Sequence, residues 1–173
     1  MVPDEILVQK ILDGDSKALD ELLERYYPQI LKYCIWHLSS REEAEDATQE
    51  VMIKVVRHIK RITRSFHFKP YIYQITKNTC IDIYRKKQID TVPLDPLAHE
   101  AVLTETAYQF KDDELISLIH TLPDDLREVI LLRYGQQMSL QEIAEATGVS
   151  MRTAQSRLRR AVNKIRKEYK NDA

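Results

Sequence analysis

The sequence predicts an all-α protein made of two small helical domains joined by a flexible linker, the C-terminal one containing a helix-turn-helix. Three observations lead there. Three glycines in 173 residues are few for a turn-rich β architecture. Apolar residues recur at intervals of three, four and seven along most of the chain, the spacing of a buried helical stripe. That spacing stops over residues 88–111, which contain Pro93 and Pro96. We therefore expect helical domains at 1–87 and 112–173, with 88–111 as the linker.

The first helix spans Asp4 to Leu12, with Ile6, Leu7, Ile11 and Leu12 available for burial and Gly14 ending it. Asp15 or Ser16 caps a second helix running to about Leu38, whose inner face carries Ala18, Leu19, Leu22, Leu23, Tyr26, Ile30, Tyr33 and Cys34. Pro28 is expected to kink or interrupt it, because proline lacks the amide hydrogen. Ser39 or Ser40 caps the third helix, in which Ala44, Ala47, Val51, Val55, Ile59 and Ile62 form the inward stripe. Its opposite face carries Asp46, Gln49, Glu50 and Ile53. An isoleucine ringed by charge suits a protein contact better than open solvent.

A basic stretch, Arg57, Lys60, Arg61 and Arg64, leads to a break at residues 65–69, and Pro70 suits the first turn of a fourth helix. There Ile72, Ile75, Thr79 and Ile83 are expected inside, and Tyr71, Gln74, Lys77, Asn78, Asp82 and Arg85 outside. Tyrosines interleaved with cations and amides suit a nucleic-acid strand with unstacked bases, because rings stack on base faces while Lys and Arg hold phosphate.

After the linker, Leu115, Leu118, Ile119 and Leu122 form one stripe, and Pro123 with Asp124 and Asp125 opens a helix bearing Leu126, Val129 and Ile130. The next helix begins with Ser139 and Glu142 at capping-box spacing and buries Leu140, Ile143, Ala144 and Thr147. Gly148 supplies a left-handed turn and Ser150 caps the last helix. Along that helix Met151, Ala154, Leu158, Ala161, Val162 and Ile165 fall on one side. Arg152, Gln155, Ser156, Arg159 and Arg160 fall on the other. A short helix, a tight turn and a donor-rich helix make a helix-turn-helix, whose second helix enters the DNA major groove.

The net charge of -1 conceals an alternation. Basic and acidic residues number 5 and 12 over 1–53, 10 and 1 over 54–87, 3 and 12 over 88–149, and 8 and 2 over 150–173. Two separate basic blocks predict two places that meet polyanion, and the acidic blocks suit basic protein surfaces. No apolar run is long enough to cross a bilayer and no export signal begins the chain, so a cytoplasmic protein without membrane insertion is expected. Cys34 and Cys80 are read as buried thiols.

Three segments carry a resemblance: EEAEDATQEVMIKVV, FKPYIYQITKNTCIDIYRKK, and LPDDLREVILLRYGQQMSLQEIAEATGVSMRTAQSRLRRAVNKIR. In that order they resemble successive segments of the extracytoplasmic-function group of bacterial RNA polymerase sigma factors, over nearly the whole chain outside the linker. The resemblance implies an alternative-type sigma factor that binds RNA polymerase core enzyme and directs promoter-specific initiation. It places Asp46, Gln49, Glu50 and Ile53 on the core-docking surface. Phe66, His67, Phe68, Lys69, Tyr71, Gln74, Lys77, Asn78 and Arg85 would melt and read the minus-ten element as single strand. Gln155, Ser156, Arg159 and Arg160 would read the minus-thirty-five duplex, with Arg152, Thr153 and Arg157 on phosphate. It also implies an anti-sigma factor as partner.

The chain departs from the family in having Met52 and Val56 where aromatics are common, Tyr71 where tryptophan is common, and Lys77 where arginine is common. Lys77 supplies a point charge rather than a fork. Two other classes compete with this reading. A conventional regulator with a sensing domain and a helix-turn-helix would leave the acidic helix and the aromatic basic block without a use. An enzyme is disfavoured: His37, His58, His67, His99 and His120 are scattered, Cys34 with His37 falls short of a four-ligand zinc set, and no phosphate loop or nucleophile motif occurs. No catalytic residue, metal or cofactor is expected.

Overall fold

The computed structural model describes residues 1–62, 67–89 and 113–171. Contacts divide the chain into two compact units, Met1–Leu103 and Thr104–Ala173. Among the described residues the regular structure is helical: α1 (Asp4–Leu12), α2 (Ser16–His37), α3 (Arg41–His58) and α4 (Phe68–Ile89) in the first unit, α5 (Asp113–Thr121), α6 (Asp124–Ile130), α7 (Leu140–Thr147) and α8 (Met151–Asn171) in the second. The expected linker lies outside the described residues from position 90 onward, and its residues 88 and 89 belong to α4.

In the first unit α1 ends as expected, with Gly14 at φ +99°. Its buried residues are Leu7, Val8 and Ile11, whereas Ile6 is half exposed. Asp4 fastens α1 to α2: its carboxylate accepts from Arg25 Nη1 at 2.6 Å and from the Tyr26 hydroxyl. The Asp15 carboxylate caps α2 by accepting from the amides of Lys17 and Ala18 at 2.9 and 3.3 Å. Pro28 does not interrupt α2, which runs unbroken through it. Pro28 is exposed, so the carbonyl deprived of its amide partner can be hydrated, while buried Tyr26 and Ile30 anchor the helix on either side.

Ser40 caps α3, its hydroxyl accepting from Glu43 N at 3.2 Å, and Ala44, Ala47, Val51 and Val55 bury the stripe that the spacing predicts. A 3-10 turn at Ile59–Arg61 then closes the helix over buried Ile59. The buried face of α4 is shifted from expectation. It consists of Phe68, Ile72, Tyr73, Thr76, Thr79 and Cys80, while Ile75 and Ile83 are only half-buried. Thr76 is tolerated inside because its hydroxyl donates to Ile72 O at 2.7 Å. Edge-to-face contacts of Tyr26 with Phe68 at 5.1 Å and Tyr33 with Tyr73 at 5.6 Å lock α2 to α4. Such pairs contribute about 0.5–1.5 kcal/mol each beyond area burial.

The second unit buries Ile116 and Ile119 of α5, Leu122 just after it, and Leu126, Val129 and Ile130 of α6, followed by a π-helical turn at Leu131–Gly135 with Leu131 and Leu132 inside. Both halves of the predicted capping box are present: Ser139 Oγ accepts from Glu142 N at 3.2 Å, and Glu142 Oε2 accepts from Ser139 N at 2.7 Å. Gly148 has φ +70°, the left-handed conformation that ends α7. Ala154 and Ala161, each 0% exposed, allow α8 to approach its neighbours closely. Met151 is not part of that inner face; at the first position of α8 it lies ahead of the contact and is 57% exposed.

Candidate protein and nucleic-acid interfaces

Three helical faces carry the predicted residues. On α3 the buried stripe turns Asp46, Gln49, Glu50 and Ile53 outward together, all exposed, with Ile53 at 50%. Val56, three residues on, is 44% exposed and extends the apolar spot. Its spacing from Ile53 was the available signal. Lys54 braces this face from the side, donating to Glu50 at 2.7 Å and to the Thr79 hydroxyl of α4 at 3.0 Å. Glu50 is thereby partly neutralised by its own helix, while Asp46, one turn earlier, has no salt bridge among the described residues.

On α4, Gln74, Asn78 and Arg85 are exposed and Lys69, Tyr71 and Lys77 half-buried, with exposed His67 just before the helix. Burial holds the Tyr71 hydroxyl above its ordinary pKa. Tyr84 and Ile81 also reach solvent, at 45% and 36% exposure. Phe68 corrects the sequence reading: it is 1% exposed, with its ring against Tyr26 and 6.2 Å from that of Tyr71. It belongs to the core because the helix starts two residues before Pro70 and carries Phe68 onto the inner stripe. Phe66 lies outside the described residues.

On α8, Arg152, Gln155, Arg159 and Arg160 are exposed and Thr153, Ser156 and Arg157 half-buried. No acidic residue occupies its first turn, so the positive end of the helix is not neutralised from within. Ser150 Oγ caps it, accepting from Thr153 N at 3.1 Å and pairing with the Thr153 hydroxyl at 2.9 Å. Arg152, Thr153, Ser156, Arg157 and Arg160 line a shallow cleft with Asp125 of α6 on its far wall, and Arg157 Nε lies 3.4 Å from Asp125 Oδ2. Cations stacked along one side of a helix that opens after a tight turn can follow a phosphate backbone while the intervening amides and hydroxyls meet base edges.

Comparison with known proteins resolves what these faces belong to. Residues 22–89 match Sigma-70 region 2, and residues 112–165 match Sigma-70 region 4. The chain belongs to the extracytoplasmic-function group of sigma factors. The two matched regions bracket the stretch of lost periodicity, in the order the sequence predicts, and leave α1 ahead of region 2. Among curated relatives, this sigma factor is 29% identical over 178 residues to the ECF RNA polymerase sigma factor SigW of Bacillus subtilis, with 95% of each chain covered. It is 28% identical over 178 residues to the RNA polymerase sigma-H factor of Pseudomonas aeruginosa, covering 95% of this chain and 92% of that one. Its fold is that of CnrH, solved in complex with the cytosolic domain of CnrY, at a TM-score of 0.75, 20% identity and coverage of 98% and 99%. It is also that of RpoE from Bartonella quintana, solved with the anti-sigma factor NepR, at a TM-score of 0.70, 20% identity and coverage of 91% and 99%.

Region 2 of this sigma factor therefore contains both the acidic α3 face and the aromatic, cationic α4 face, and region 4 contains the helix-turn-helix. Among the described residues no helix is long and apolar enough to cross a membrane, and no three metal-ligating side chains gather.

Proposed function

We propose that this sigma factor recruits core RNA polymerase through α3, opens promoters with α4 and reads the upstream element with α8. The observation that carries the division of labour is the segregation of surface chemistry. α3 shows carboxylates around Ile53 and Val56, whereas the outward faces of α4 and α8 show cations, amides and, on α4, tyrosines. An acidic rim around a dry spot suits a basic helical protein surface, and it repels nucleic acid.

In detail, Asp46, Gln49, Glu50, Ile53 and Val56 contact core enzyme. His67, Lys69, Tyr71, Gln74, Lys77, Asn78 and Arg85 hold the melted strand of the minus-ten element, where rings stack and amides read edges. Gln155, Ser156, Arg159 and Arg160 read the minus-thirty-five duplex, with Arg152, Thr153 and Arg157 on its phosphates. Residues 1–89 and 112–173 act as separate modules joined through 90–111, whose acidity weakens promoter binding by the free protein. Core polymerase supplies the spacing between them. The protein works in the cytoplasm, lends specificity to polymerase and performs no catalysis itself. An anti-sigma factor holds it inactive by covering the same faces, a reading supported by the sigma–anti-sigma complex in which a protein of like fold was solved.

The test is run-off transcription by bacterial core polymerase on a pool of genomic fragments. The protein should add discrete transcripts starting at a fixed distance from a shared two-part sequence. Arg159→Ala or Arg160→Ala should weaken upstream-element discrimination by about 1–3 kcal/mol without weakening core binding, and Asp46→Arg should do the reverse. If both kinds of change reduce both activities equally, the division is wrong. If the protein alone retains specific duplexes and no transcript appears, the conventional regulator takes its place.

A further inference from the structure

The first unit buries two cysteines that neither polymerase docking nor promoter reading uses. Cys34 of α2 is 0% exposed and Cys80 of α4 is 5% exposed. Although 46 residues apart in sequence, their sulfurs lie 3.9 Å from each other, with the Cys80 thiol donating to Cys34. A disulfide bond measures about 2.0 Å. The two sulfurs thus need to approach by the difference, about 1.9 Å, which is the scale of a side-chain rotation rather than of a domain rearrangement.

The two thiols are not equivalent. Cys34 is fully enclosed, and its pKa is held below the ordinary thiol value, first by the hydrogen bond from Cys80 against the opposing effect of burial, and further by Thr48 and the His37 ring. Cys80, at 5% exposure, is the less enclosed of the two. No third ligand completes a metal site around the pair among the described residues.

We propose that Cys34 and Cys80 are a modification site, a dithiol that hydrogen peroxide converts to an internal disulfide and that a thiol reductant restores. Cys80 sulfur attacks one peroxide oxygen: an S–O bond forms, the O–O bond breaks, and the departing hydroxide takes the Cys80 proton to become water. Cys34 sulfur then attacks Cys80 sulfur. The S–S bond forms, the S–O bond breaks, and the hydroxyl leaves with the Cys34 proton as a second water. Two thiols and one hydrogen peroxide give one disulfide and two waters; the sulfurs lose two electrons and the peroxide oxygens gain them. The bond closes a loop that contains all of α3 and ties α2 to α4. In a reducing compartment it is transient, present only while oxidant is.

The experiment treats the folded full-length protein with hydrogen peroxide, quenches it, then alkylates it in denaturant for intact mass and peptide mapping. Both cysteines should lose alkylation together, the mass should fall by two hydrogens, and one linked peptide should join Cys34 to Cys80. Dithiothreitol should restore both thiols, and the linked protein should melt at a higher temperature than the reduced one. In Cys34→Ala and Cys80→Ala proteins the internal link should vanish and the remaining cysteine should stay alkylatable or gain oxygen. Thiols that both stay alkylatable after oxidant overturn the proposal. So does added oxygen without a link, a link between two molecules, or a link that forms only in urea. Because the unmodified sequence yields the linked peptide by itself, the outcome does not depend on either variant folding.

Discussion

Arg157 Nε of α8 lies 3.4 Å from Asp125 Oδ2 of α6. A side chain proposed to hold DNA phosphate is therefore already held by a carboxylate on the wall of the same cleft. The pair is partly exposed, at 28% and 43%, so it contributes only about 0–1 kcal/mol to stability. Its larger effect is on what Arg157 can do when phosphate arrives.

Asp125→Asn should accordingly free a cation at little cost to the fold. Binding of the protein–polymerase complex to its upstream duplex should tighten, and the plot of log affinity against log salt should steepen by up to about 0.9, the value for one more phosphate contact. Affinity measured across a salt series checks this. Weaker binding with an unchanged slope would mean that Asp125 aims Arg157 rather than competing for it.

Ile53→Asp tests the docking face without touching a core. Ile53 is half exposed, so thermal stability should change by no more than about 0.5 kcal/mol. Affinity for core polymerase should nevertheless fall by tenfold or more, about 1.4 kcal/mol, because a charge replaces the dry centre of the contact. Val56→Asp should behave alike. Pull-down titration against core enzyme with Arg159→Ala as the control is the measurement, and unchanged core affinity in both variants would remove α3 from the interface.

Gly148→Ala isolates backbone strain. A Cβ there meets nothing within 4 Å, so the penalty comes from φ +70° alone, about 1–2 kcal/mol. Hydrogen exchange should show amides of α7 and α8 losing roughly tenfold or more in protection, with those of α2 and α3 unaffected. An equal loss in both units would show that they do not unfold independently.

Tyr73 makes stability depend on pH in a predictable direction. It is 1% exposed, and burial holds its pKa well above the ordinary value, with negative charge on Cys34 adding to the rise. Unfolded, it ionises near pH 10. Above that pH the unfolded chain binds fewer protons than the folded one, so this contribution to stability is complete below about pH 10 and is lost as pH rises further. Tyr73→Phe should flatten the decline by up to about 1.4 kcal/mol per pH unit. Urea midpoints at a series of pH values from about 9 to 11 give the slope, and identical slopes in the two proteins would refute the assignment.

The residues by themselves determined most of the helical spans, the capping box of Ser139 and Glu142, the left-handed Gly148, the stripe of Ala44, Ala47, Val51 and Val55, and the exposure of Ile53 opposite it. Each is local: a cap acts over three residues and a stripe repeats every three or four, so neighbours in sequence suffice to read them. Tertiary structure decided the rest. It turned α4 so that Phe68, Tyr73 and Cys80 pack inward, let α2 pass through Pro28, and left Met151 outside the core. It brought Cys34 to Cys80 across 46 residues and Arg157 to Asp125. Periodicity states which face of a helix is buried but not which helix will cover it. In α4, where tyrosines, threonines and isoleucines sit on every side, even the buried face depended on how α2 and α3 came to meet it.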